Sequence, residues 1–348
     1  MEKFRAFDSL DKDMQGVVEQ LMNFKAPPLT TLTPDNARNC PTFKNAVEEM
    51  ASHSALARTL NVALPAMPEP VKRTEQILIP TQGGKVGARV YYPTTDAVLA
   101  PVVVYFHGGG WVIANLDVYD SSCRALCNAM KAIVISVAYR QAPEHPFPAP
   151  VQDASDALQW VLTNATSFAG DPAKVIVAGE SAGGNLATVA CLAAKSLGVP
   201  MPAAQLLIYP VTDTSMSQMS YAENEDTVPL QSSMMPWFWK HYLTDESQRE
   251  DPLVSPLQAE DLSGLPPAII ITAEFDPLRD EAQQYAERLE DAGVPVWYRQ
   301  FDGVVHEFFG LTGAVSKAKD AVKFAADCTN EILKNVEAEQ SADVLTPV

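Results

Sequence analysis

The stretch Val175-Ile176-Val177-Ala178-Gly179-Glu180-Ser181-Ala182-Gly183-Gly184 decides how this chain folds. Its four leading apolar residues read as a buried strand. The glycines around Ser181 allow a turn too sharp for ordinary neighbours, and the serine is pushed out at the top of the sheet. Ala182 through Ala190 then reads as a small-residue helix that can pack close to that sheet. Its N-terminus points free N–H groups at the serine and favours negative charge there. Taken alone, a glycine-rich turn can carry an incidental serine. Set between a strand and a helix, the pattern G-x-S-x-G marks an exposed nucleophile.

A second signal lies upstream. The strand-like Val102-Val103-Val104-Tyr105-Phe106 runs into His107-Gly108-Gly109-Gly110-Trp111. Three consecutive glycines leave backbone N–H groups unshielded, so the loop can aim donors at an oxyanion. The N–H of Ala182, next to the serine, supplies another. A glycine run by itself is more often a flexible turn; ahead of a serine elbow it gains meaning.

A serine at its ordinary pKa needs a base, and the base needs an orienting acid. In the chain order Ser…Asp/Glu…His both must follow Ser181. Of five histidines, His53, His107 and His145 precede it. His241 lies in the aromatic stretch Trp237–Tyr242. His306 follows the strand Val296–Phe301 and an expected loop, Asp302-Gly303-Val304-Val305, which is where a base belongs. Among the acids, Asp276 stands just past the strand Ala268–Ala273, before a proline that can open a helix. Glu274 and Asp280 are the alternatives, the latter placed to support a helix dipole.

Together, His107-Gly108-Gly109-Gly110, Gly179 through Gly184, Asp276-Pro277-Leu278, His306 and the stretch Tyr139–Pro148 resemble the hormone-sensitive-lipase family of α/β-hydrolases, the bacterial family IV esterases. The similarity runs from about Val71 to about Leu333. It implies Ser181 as nucleophile, His306 as base and Asp276 as acid, with Gly108, Gly109 and Ala182 forming the oxyanion hole. It implies a serine carboxylesterase acting on short- to medium-chain esters, with no cofactor and no metal, and it raises a homodimer as an expectation. The chain departs from the usual pattern at Ala138, Gln141, Glu180 and Glu307, where the family more often has Asp, Leu, Asp or Thr, and Gly. Gibberellin receptors resemble the same family but lack a working catalytic histidine; this chain keeps all three candidates. Amidase, lactonase or lipase activity would use the same triad.

Composition agrees. The chain has 348 residues, is 47% hydrophobic and carries a formal charge of −18, which argues against nucleic acid and anionic membranes as partners. No apolar run approaches membrane-spanning length. Residues Met1–Asp8 lack the apolar stretch of a signal peptide, so a cytoplasmic location is expected. Cys40, Cys123, Cys127, Cys191 and Cys328 are scattered and odd in number, and read as reduced, buried thiols.

Eight alternating or apolar runs, from Thr74–Ile79 to Val296–Phe301, are interleaved with helical stretches. That pattern predicts an α/β-hydrolase fold: a mostly parallel eight-stranded sheet with helices on both faces. The first two runs, joined by Gln82-Gly83-Gly84, read as an antiparallel hairpin. Two segments stand outside the sheet, and together they read as a helical cap. The expected division is 1–54 as the N-terminal part of the cap, 55–212 as the first part of the catalytic domain, 213–256 as a cap insertion, 257–336 as the second catalytic part, and 337–348 as a frayed polar tail. In the insertion, thioethers and aromatics suit an adaptable pocket wall. Met216, Met234, Trp237 and Phe238, with Trp111, are the candidate substrate-lining residues; most of the insertion's apolar side chains are expected to form its own core.

Overall fold

The computed structural model describes residues 4–58, 68–95 and 99–344. Three helices open the chain: α1 (Lys12–Asn23), α2 (Pro34–Ala37) and α3 (Phe43–Arg58). The hairpin β1 (Arg73–Thr81) and β2 (Gly84–Tyr92) follows, then β3 (Ala100–Phe106), α4 (Asp120–Met130), β4 (Ile133–Ala138) and α5 (Ala149–Asn164). Next come β5 (Gly170–Glu180), α6 (Ala182–Leu197) and β6 (Ala204–Ile208). An insertion holding α7 (Met219–Glu223) and α8 (Met235–Tyr242) leads to β7 (Ala268–Phe275), α9 (Arg279–Asp291), β8 (Val296–Val305) and α10 (Ser316–Val344).

The eight strands form one sheet in the order β1-β2-β4-β3-β5-β6-β7-β8. Only β2 runs against its neighbours; from β4 to β8 every pairing is parallel. Parallel pairing requires helical crossovers, and these cover both faces. The alternation along β3 shows the two layers. Val102, Val104 and Phe106 join the core under α5, α6 and α9, while Val103 and Tyr105 join the core under α4 and α10.

The N-terminal helices and the insertion meet at the carboxyl ends of the strands from opposite faces. Phe4, Phe7, Leu10, Met14 and Val17 are buried with α4 and α10, and the Asp11 N–H bonds Gly303 O at 2.9 Å. The insertion buries Met235, Trp237, Phe238, Trp239 and Tyr242 in the other core.

Three expectations are corrected. The break expected after Ser54 falls inside α3, which runs on to Arg58; residues 59–67, just beyond, lie outside the described set. The tail expected to fray from Glu337 instead extends α10 to Val344, since Glu, Ala and Gln there are strong helix formers; residues 345–348 lie outside the described set. Cys40 is half-exposed rather than buried, whereas the other four free cysteines are buried.

Candidate active site

Strand β5 delivers Ser181 at its carboxyl end, and α6 begins at the next residue. Between them Ser181 takes φ 57° and ψ −121°, a conformation that L-residues adopt only under constraint. The constraint is visible. Ser181 N donates to Ile208 O at 2.9 Å, and its carbonyl accepts from Asn185 N at 3.0 Å and Val211 N at 3.3 Å. A Cβ on Gly183 would lie 2.0 Å from the Phe106 carbonyl oxygen, so only glycine lets α6 come this close to β3.

Ser181, Asp276 and His306 come together from three separate strand ends. His306 Nε2 lies 3.0 Å from Ser181 Oγ, and His306 Nδ1 lies 2.7 Å from Asp276 Oδ2. All three are buried, Asp276 completely. An acceptor carboxylate on Nδ1 fixes the tautomer with its proton there and leaves Nε2 free to accept from the serine. The other Asp276 oxygen accepts from Leu278 N at 2.9 Å, which aims the carboxylate.

The alternative acids are occupied elsewhere. Glu274 accepts from Gly303 N at 2.8 Å, and Asp280 accepts from Ser220 N at 2.8 Å within the first turn of α9. His241 packs edge-on against Trp237, 4.4 Å between ring centroids. The loop expected before His306 is instead the end of β8, which bulges against β7 and pairs Val305 with Phe275. Gly303, at φ 75°, reads as a turn residue but here lets the strand continue.

Burial disfavours the His306 imidazolium, but the charge and hydrogen bond of Asp276 outweigh it, with help from Glu307 and Glu180. The imidazole pKa therefore sits above its ordinary value. Directly below the elbow, the buried Glu180 carboxylate accepts from Tyr105 Oη at 2.5 Å and from Tyr209 Oη. Burial raises its pKa against the hydrogen bonds of its hydroxyl partners. The Tyr209 ring in turn lies 4.6 Å from the His306 ring, so this cluster backs the imidazole.

Gly108 to Gly110 form the loop after β3. The N–H groups of Gly108 and Gly109 have no backbone acceptor among the described residues, and Ala182 N belongs to the first turn of α6, where helices leave donors unpaired. Tyr139 Oη donates to His107 O at 2.9 Å, and His107 Nδ1 donates to Gly108 O at 2.7 Å, which steadies the loop. Burial drops the His107 pKa to about 4, so the ring stays neutral. Trp111, at φ 60°, turns away from the sheet and stacks on Tyr242 of α8, centroids 4.2 Å apart and rings parallel. Gly110 lies under Phe238, whose ring would sit 2.1 Å from any Cβ there.

A cavity of about 140 Å³ lies over Ser181 and His306. Trp111, Met234 and Phe238 line it, as do Gly109 and Gly110. Met216 and Trp237, also expected there, do not. Trp237 instead packs inward and donates its Nε1–H to Leu32 O at 3.2 Å, and Met216 packs against the insertion's core. The wall also includes residues the sequence did not single out: Leu21, Leu29, Leu230, Val211 and Arg38. Arg38 is bidentate on Glu144 and donates to Val112 O and Ala142 O, both at 2.9 Å, pinning the N-terminal segment beside the glycine loop. No group of His, Cys, Asp and Glu suited to a metal occurs among the described residues.

A family model described as the alpha/beta hydrolase fold matches residues 103–310. The chain belongs to this family. Within it, the chain falls in the hormone-sensitive-lipase group, bacterial family IV. A Mycobacterium tuberculosis protein named "Esterase LipI" is 41% identical over 262 residues, covering 74% of this chain and 82% of its own. An "Ethyl acetate hydrolase" of Pseudomonas putida is 34% identical over 268 residues, covering 76% and 84%. Among solved structures, an α/β hydrolase enzyme from the metagenome of Lake Arreo superposes with a TM-score of 0.82 at 35% identity, over 94% of this chain and 99% of that one.

Proposed function

We propose that this chain, an ester hydrolase of the hormone-sensitive-lipase group, works as a serine carboxylesterase on short- to medium-chain esters through an acyl-enzyme. The observation that carries the mechanism is the continuous relay Ser181 Oγ to His306 Nε2 at 3.0 Å and His306 Nδ1 to Asp276 at 2.7 Å.

Ser181 attacks the ester carbonyl while His306 takes its proton. Asp276 holds the imidazole and stabilises its protonated form. Charge developing on the carbonyl oxygen meets the N–H groups of Gly108, Gly109 and Ala182, the donors of the oxyanion hole. His306 then protonates the leaving alcohol, and water repeats the sequence to release the acid. No step calls on a metal or organic cofactor. The residues around 1–54 and 213–256 act as the cap, with Trp111, Met234 and Phe238 in contact with substrate.

Chain length follows from the cavity. Each buried CH₂ adds roughly 0.8 kcal/mol until the wall is reached, after which overpacking costs more. Hydrolysis of p-nitrophenyl esters from acetate to palmitate tests this: kcat/KM is expected to peak at about two to six acyl carbons. A steady rise to palmitate, with activation at an oil–water interface, would make the protein a lipase. We also propose a cytoplasmic location and a homodimer, which cell fractionation and light scattering check. Among the described residues, no helix is long and apolar enough to cross a membrane.

A further inference from the structure

Glu307 follows His306 directly and stands in the left-handed region at φ 65°, a conformation that disfavours any side chain. It is half-buried and stands between the cavity over Ser181 and a smaller adjoining space that also holds Tyr119, bordering both. One carboxylate oxygen accepts from Tyr119 Oη at 2.9 Å. That hydroxyl lies beneath the glycine loop, 2.3 Å from where a Cβ on Gly108 would stand. Tyr119 thus fixes the Glu307 side chain across the gap between the base and the oxyanion loop. The second oxygen has no hydrogen-bond partner among the described residues.

The charges around it do not cancel it. Among the described residues, Arg38 is the one cation lining the cavity, and Glu144 and two backbone carbonyls already engage it. Lys44, on α3, borders a smaller adjoining space with Glu307 but pairs with Glu48 at 2.5 Å. Asp276 lies behind His306 and adds negative charge, and Glu180 lies below between two tyrosines with no cation beside it among the described residues. Apart from these groups and the catalytic residues, the wall is mainly apolar, and an unpaired charge acts over longer range in such surroundings.

We propose that Glu307 is a specificity-determining residue of this esterase site: it rejects esters carrying an anionic group near the scissile bond and favours cationic ones. The inference rests on the carboxylesterase reading. Its electrostatic partner effect is the raised basicity of His306, to which Glu307 contributes after Asp276.

Three butyrate esters of similar size test it: butyrylcholine as cation, 3,3-dimethylbutyl butyrate as neutral isostere, and 2-sulfoethyl butyrate as anion. In the wild type, kcat/KM is expected to fall in that order, with the spread narrowing as salt is raised. In Glu307→Gln the anion-to-neutral ratio should rise about tenfold, the scale of one unscreened charge at this range. Glu307→Gly, which relieves the backbone as well, should give the same change in ratio if Gln disturbs folding. The acid limb of kcat/KM on the neutral ester should also move to lower pH in both variants. A ratio unchanged within twofold in both overturns the proposal. If the wild type cleaves none of the three and Ser181 resists a phosphonate label, the carboxylesterase reading fails and takes this inference with it.

Discussion

The floor and the roof of the cavity are built in opposite ways. The floor is held by backbone: a strained Ser181 fixed by Ile208, Asn185 and Val211, a glycine at 183 that admits no Cβ, and a buried Asp276–His306 pair aimed by the Leu278 N–H. The roof is side chains: Leu21, Leu29, Leu230, Met234, Met235 and Phe238, drawn from two segments far apart in sequence. A floor held by backbone has one working geometry. A roof of unbranched thioethers and leucines can repack around different ligands. The reaction should therefore be fixed by the floor and the range of substrates by the roof, and mutations can separate the two.

The sharpest contrast comes from Ser181→Ala. It removes one oxygen from the floor and should lower turnover on the order of 10⁶-fold, by analogy with nucleophile loss in a serine protease, with the fold intact by circular dichroism. Wild-type turnover in a folded variant would dissolve the contrast. Asp276→Asn comes next, at about 10⁴-fold in kcat, because the amide can donate to Nδ1 and hold the imidazole in the wrong tautomer without the carboxylate's charge. Asp280→Asn and Glu274→Gln should cost far less, since these carboxylates bond backbone N–H groups away from His306. If either rivals Asp276→Asn in stopped-flow or steady-state assays, the floor has been misassigned.

In the roof, Met234→Ala and Phe238→Ala should leave kcat on acetate esters within about tenfold. They should move the preferred acyl length up by one or more carbons, because each opens space over Ser181. An unchanged chain-length profile would mean the roof does not set the range. The smallest effect expected is on pH. His306 must be neutral to act as base, and Asp276 and its neighbours hold its pKa above the ordinary 6.5. The acid limb of kcat/KM should therefore fall above pH 6.5, activity growing as pH rises through it. Roof variants should leave that limb in place.

The same division explains what the sequence made legible. The floor is encoded in contiguous words, so the serine elbow, the glycine run and the strand-end acid could be read from neighbouring residues. His306 stands out only against the other four histidines, and the strand leading to it reads short because Gly303 looks like a turn residue. The roof has no such words. Whether Met216 or Leu230 faces the cavity depends on how the insertion folds over the sheet, and periodicity does not report that. Trp237 illustrates the difficulty: an aromatic expected to line the cavity turns away from it to bond Leu32 O. Arg38, which fastens the N-terminal segment to the glycine loop, carries no local signal at all.

Trp111 joins these two halves. Its indole stacks flat on Tyr242 of the roof, while its backbone continues the glycine loop that follows β3. A bulkier ester that displaced α8 is therefore expected to disturb Trp111 and, through it, the glycine loop. The roof and the glycine loop are thus coupled mechanically through one stacked pair. Trimming Met234 or Leu230 in place is therefore expected to widen the substrate range with less disturbance of the glycine loop than a displacement of α8 would bring.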